Sequence, residues 1–381
     1  MERMRNKEER DMGQKAIKGK KIKVLKILLL VLFIIIVVAA IALGIYAYRN
    51  MHYDEKPLKR TYNAGYEEKQ VTLDDGTVLN YAEGPNNGPA LLLIHGQSME
   101  WEDYSRVLPG LAEYYHVYAI DCHGHGESSH DSSKYTGVAM GQDFVWFIEN
   151  VIGESCVISG HSSGGILAAW IAANAPEDVL GVVLEDPPFF SVEPEEMQNT
   201  FVWLESFEIV HNFRNQIDTD DYVVYYMENS YFWGLFGDLR KLTAASTRKY
   251  RAQHPGEPLK LWYIPYSWIH GTLYLDDFDT AFAETFYTGA WFEGFDQEET
   301  LSTIDCPSVY IKAATLYGKD GVLYAANSDE DAEKVHSLIE GNEMITIKSG
   351  HDIHFEHPDE FIQIMVDFLN RIKRNSLISR R

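Results

Sequence analysis

The chain has 381 residues, 45% hydrophobic and 13% aromatic, enough for a sizeable core in one large domain or two small ones. Its formal net charge of −24 is uneven: residues 1–48 carry ten Lys/Arg against four Asp/Glu, and the remainder carries 23 against 53. That acidity argues against nucleic acid as a partner, and three widely spaced cysteines (Cys122, Cys156, Cys306) form neither a disulfide framework nor a zinc pattern.

Residues 1–26 form a basic tail. Ile27 to Tyr48 follows as 22 residues without a charged side chain. At 1.5 Å per residue such a helix measures about 33 Å, enough for a bilayer core of roughly 30 Å. The run predicts one transmembrane helix. The basic flank predicts a cytoplasmic N-terminus and a large domain outside the cytoplasm, hence a single-pass protein of the cell membrane. A cleaved signal peptide is the competing reading, since Ala40-Ile41-Ala42 resembles a cleavage site. The apolar run is longer than a usual signal core and continues past that site, which favours a retained anchor.

Residues 49–67 read as a polar linker. Gln70 to Leu73 and Thr77 to Tyr81 flank Asp75-Gly76 and predict a β-hairpin. Ala90 to Ile94 and Val117 to Ile120 predict strands, with an interrupted helix between them at Tyr104 to Tyr115. A helix at Gly141 to Ile152 precedes a strand at Cys156 to Ile158. Next come Gly160-His161-Ser162-Ser163-Gly164, a helix at Ile166 to Ala175 and a strand at Gly181 to Leu184. Strands alternating with helices imply a doubly wound, mostly parallel α/β sheet. From 187 to 300 the alternation stops, and an aromatic-rich, helical stretch reads as a cap. Strands at Pro307 to Lys312 and Met344 to Lys348 and a helix at Asp359 to Lys373 complete the core, spanning 68–186 and 301–374.

A G-x-S-x-G string between a strand and a helix suits a nucleophile elbow, a strained turn that presents one serine side chain, here Ser162. Glycines on both sides are a steric need, because strand and helix pass closely there.

With His95-Gly96-Gln97 after one strand, Asp121 to Ser128 after the next, and Ser349-Gly350-His351 after the last, the chain resembles the α/β-hydrolase superfamily. The likeness is to its cap-bearing serine-hydrolase branch of esterases, proline iminopeptidases and carbon–carbon bond hydrolases, over residues 68 to 373. The resemblance implies Ser162 as nucleophile and His351 as its base, with His354 and His357 as nearby rivals. It implies Asp320 as the acid, with Asp186 and Glu185 as alternatives because some relatives carry the acid after the preceding strand. The backbone N–H groups of Gln97 (or Ser98) and Ser163 would hold the oxyanion. Asp329 and Asp331 read as helix caps, and His95, His123 and His125 as structural, so neither metal nor cofactor is implied.

The expectation is therefore a membrane-anchored serine hydrolase acting on a small ester, amide or lipid-like carbonyl compound through an acyl-enzyme. A serine at the elbow, where epoxide hydrolases and haloalkane dehalogenases place a carboxylate, argues against those two activities. The alternative is a non-catalytic surface protein that uses the same fold for binding.

Overall fold

The structure, a computed structural model, describes residues 1–193 and 197–379. It divides into two compact units, Met1–Tyr53 with Leu261–Tyr266, and Asp54–Lys260 with Ser267–Arg381. In the first unit, Glu2–Met51 is one continuous helix that contains the whole uncharged run. It is long and apolar enough to cross a membrane.

The second unit is built on eight strands: β1 (Glu67–Thr72), β2 (Val78–Glu83), β3 (Ala90–Ile94), β4 (His116–Ile120), β5 (Cys156–His161), β6 (Val179–Glu185), β7 (Ser308–Ala313) and β8 (Glu343–Ile347). They form one sheet in the order β1-β2-β4-β3-β5-β6-β7-β8. The first three of these strands pair antiparallel and the rest pair parallel. The hairpin turn is closed by the Leu73 N–H donating to the Thr77 carbonyl at 2.8 Å. Every residue of β3 and β5 is buried, as continuous apolar runs require when helices cover both faces.

One local expectation needs correction. Residues 49–67 are not a plain linker, since Glu55–Asn63 forms a helix. Its Leu58 packs against the core, and the buried Thr61 hydroxyl donates to the Ser105 carbonyl at 3.1 Å. The interruption expected between Tyr104 and Tyr115 is present, with a 3₁₀ turn at Trp101–Arg106 followed by a single α-turn at Leu108–Leu111. Pro109 explains the break, because it lacks an N–H and its ring excludes a preceding helical turn.

Among the described residues no strand lies between β6 and β7, and the longest helix there is Asp238–Gln253. Part of its aromatic content is its own core: Phe282 and Trp291 are fully buried, and Phe286 stacks on Trp291 at 4.7 Å.

The contact that positions the site is between β5 and the helix Ser163–Asn174. A Cβ on Gly160 would lie 2.1 Å from the Gly164 carbonyl oxygen, and one on Gly164 would lie 2.3 Å from the Ile94 carbonyl oxygen. Both neighbours are backbone and cannot yield cheaply. Gly160→Ala is expected to lower stability by about 3 kcal/mol or more. A thermal melt of the variant that matched the parent would contradict this packing account.

Candidate active site

Ser162 sits directly after β5 with φ 53° and ψ −123°, a backbone conformation that disfavours any side chain. Its N–H donates to the Glu185 carbonyl at 2.9 Å, which ties the turn to the end of β6. Positive φ outside glycine occurs among the described residues at Ser98, Ser162, Asp186 and Phe190. Ser162 and Asp186 immediately follow β5 and β6, and Ser98 lies in the loop after β3. Strain of about 1–3 kcal/mol per residue is thus gathered at one edge of the sheet.

Ser162, Ser163, Gln97 and His351 all line one cavity of about 450 Å³. The insertion contributes Phe201, Phe207, Tyr222, Tyr226, Phe232 and Trp268 to its wall. A second cavity, about 560 Å³ and lined by Glu68, Glu100, Glu102, Asp121, Glu127 and Asp277, contains none of these groups.

The carboxylate beside His351 is that of Asp186, whose Oδ2 lies 2.7 Å from Nδ1. Its other oxygen accepts the Ala313 N–H at 2.9 Å, so the end of β7 fixes the carboxylate's orientation. Burial works to lower the His351 pKa, but the hydrogen bond and charge of Asp186, with Asp352 and Glu185 beyond, outweigh it and raise the value to about 9.

Asp320 is not brought to His351. It is exposed, seven residues beyond the end of β7, and accepts a hydrogen bond from the Tyr231 hydroxyl. The loop after β7 turns away at Gly318 to Gly321, so chain order alone did not identify the partner of the imidazole.

Glu185 and His354 belong to a different assembly, fully buried beneath the cavity. His354 Nδ1 is 2.9 Å from Glu185 Oε1, and its backbone N–H donates to the same oxygen at 2.7 Å. His354 Nε2 is 2.9 Å from Asp103 Oδ2, and His270 Nε2 is 2.8 Å from Asp103 Oδ1. Burial opposes charge on His354 and on Asp103. The two carboxylates nevertheless hold His354 well above the ordinary histidine range, and the imidazoles hold Asp103 well below the carboxylate range. His354 thus has a carboxylate oxygen within hydrogen-bond distance of each ring nitrogen. His357 is more exposed, 3.8 Å from Glu360.

Sequence reasoning missed Asp103 and His270, which lie 251 and 84 residues from His354 and carry no local motif. It also passed over His161, buried with its ring 4.5 Å from that of His351. Burial, and then the neighbouring His351, lower the His161 pKa to about 3 and keep it neutral. Asp103, His161 and His354 present ligand atoms within 4.8 Å of one another. The hydrogen bonds that occupy both nitrogens of His354 account for the cluster without an ion.

The loop after β3 is set by two neutral histidines. His95 accepts the Cys122 N–H at Nε2 (2.9 Å), and its Nδ1 lies 2.7 Å from the Gly96 carbonyl, which assigns the proton to Nδ1. Burial lowers its pKa to about 4. His125 Nε2 accepts the Ser98 N–H at 3.0 Å, so the Ser98 N–H is committed within the protein. Ser163 opens its helix, where N–H groups have no acceptor within the helix.

The alpha/beta hydrolase family profile matches residues 91–364, and the chain belongs to that family. Over 140 residues it is 32% identical to the serine hydrolase-like protein of Homo sapiens, covering 36% of this chain and 68% of that one. Over 116 residues it is 34% identical to the dihydrolipoyllysine-residue acetyltransferase component of the acetoin cleaving system of Cupriavidus necator, covering 30% of this chain but only 31% of that protein. Among solved structures, a bacterial membrane phospholipase A superposes with a TM-score of 0.57 at 22% identity, over 91% of this chain and 99% of that one. At that identity the likeness is one of fold.

Removing one partner of a buried ion pair leaves the other charge uncompensated. Asp103→Asn is expected to destabilise the protein by about 3–5 kcal/mol, measured by denaturant unfolding. A change under about 1 kcal/mol would mean that the Glu185–His354–Asp103 assembly contributes little.

Proposed function

We propose that this protein is a membrane-anchored serine hydrolase that cleaves an ester, amide or lipid-like carbonyl compound through an acyl-enzyme. One observation carries the reading: Ser162 and His351 face a common cavity, and a buried carboxylate lies 2.7 Å from the imidazole. Neutral His351 takes the proton from the Ser162 hydroxyl as its oxygen attacks the substrate carbonyl. Asp186 holds the proton of His351 on Nδ1 and stabilises the imidazolium that forms. The N–H groups of Gln97 and Ser163 receive the negative oxygen of the tetrahedral intermediate. His351 then protonates the leaving group, and water repeats the sequence to release the acid.

The aromatic wall supports an apolar acyl or leaving group. Glu205, also on that wall, is pushed up to about 7 by burial, against hydrogen bonds from Tyr226 and the Phe232 N–H, so near neutrality it carries only part of a negative charge. Ile27 to Tyr48 spans the membrane, with residues 1–26 on the cytoplasmic side and the catalytic unit on the other.

Fluorophosphonate labelling tests the nucleophile: the wild-type chain is expected to label and Ser162→Ala to remain blank, whereas equal labelling of both would overturn the assignment. The acid is tested by a pair of variants. Asp186→Asn is expected to lower kcat on a p-nitrophenyl ester by on the order of 10⁴-fold, and Asp320→Asn by less than about threefold, because Asp320 is remote from the imidazole. The reverse ranking would restore Asp320. Because His351 acts in its neutral form and its pKa is raised to about 9, kcat/KM should climb with pH up to that value. In Asp186→Asn the residual activity should rise at lower pH, since the group that raises the pKa is gone.

A further inference from the structure

We propose that Leu261–Tyr266 is a second membrane-contacting element, seated in the interfacial layer of a phospholipid bilayer beside the C-terminal end of the anchor helix. The inference rests on the reading of Ile27 to Tyr48 as a membrane span.

The segment reads Leu-Trp-Tyr-Ile-Pro-Tyr and carries no charge. Asn50 is 2% exposed, and its Nδ2 donates to the carbonyls of Trp262 at 3.0 Å and Ile264 at 2.6 Å. The Tyr46 hydroxyl donates to the Tyr263 carbonyl at 3.4 Å, and the rings of Tyr53 and Tyr266 stack at 4.9 Å. Three consecutive carbonyls are thus fixed to residues 46 and 50. Tyr46 lies within the uncharged run, and Asn50 lies two residues past its end, a rise of about 3 Å. If the run fills the hydrocarbon core, the segment can only lie at the boundary between acyl chains and headgroups.

Its composition suits that layer. Tyr46, Tyr48, Tyr53, Trp262, Tyr263 and Tyr266 gather at one end of the span, and such amphipathic rings concentrate at membrane interfaces. Leu261 and Ile264 are buried, while Trp262 is 47% exposed. A bare indole is expensive in water and well accommodated among headgroups. This buried asparagine in the last turn of the helix satisfies two carbonyls that would otherwise face a poorly hydrated layer.

The test uses the full chain in phosphatidylcholine nanodiscs that contain lipids brominated either near the headgroup or near the acyl terminus. The Trp262 emission is isolated as the difference between wild type and Trp262→Phe. Shallow bromines are expected to quench this component at least about twofold more than deep ones, as for an interfacial indole. Asn50→Ala should roughly halve the shallow quenching while the chain stays resistant to carbonate extraction. A component unquenched at either depth, in a carbonate-resistant chain, overturns the proposal and leaves the anchor intact; so does protection of Trp262 by a bound protein. Extraction of the wild-type chain by carbonate overturns both readings.

Discussion

At the elbow, strand and helix approach so closely that the backbone between them must take a left-handed turn. No side chain fits at Gly160 or Gly164, because backbone carbonyls occupy the space where a Cβ would go. Ser162, held between them at positive φ, has its side chain on the cavity wall instead of in the sheet. The parallel pairing of β3, β5, β6 and β7 then brings other loops to the same edge. The site is a consequence of that shared edge, since its groups come from loops far apart in sequence.

Two successive carboxylates at the end of β6 divide the work of this edge. Side chains alternate along a strand, so Glu185 and Asp186 leave in different directions. Glu185 meets His354 in the buried interior, and Asp186 meets His351 at the cavity. The two imidazoles are three residues apart, so the segment Ser349 to Glu356 is held at both positions by neighbouring acids. His354 is fully buried between two carboxylates, whereas the His351 side chain is 34% exposed at the cavity. Asp103 extends the buried assembly to His270, joining the core to the helical insertion through charge-assisted hydrogen bonds.

The same insertion supplies both an aromatic core of its own and the rings that face the cavity. Its segment Leu261–Tyr266 is bonded to the end of the long N-terminal helix through backbone carbonyls, which makes the contact independent of most side-chain identities in that segment.

Much of this was legible in the residues because it depends on local patterns. An uncharged run of 22 residues, a strand-turn-helix with flanking glycines, and a histidine just after the last strand are short-range signals; they pointed to the long helix and to Ser162 and His351, which line one cavity. The mostly parallel character of the sheet followed from the alternation of apolar strands and helices, whereas the order of its strands did not. The partner of His351 was not legible. β6 and β7 are parallel neighbours that end at the same edge, so Asp186 and Asp320 both satisfied the chain-order argument. Only the path of the loop after β7 decided between them, sending Asp320 to Tyr231 and leaving Asp186 bonded to Ala313 and His351. Likewise Asp103, His270 and His161 carry no motif, and their assembly exists only once distant segments are packed. Local sterics and periodicity are written in neighbouring residues, whereas the pairing of buried charges depends on which surfaces meet.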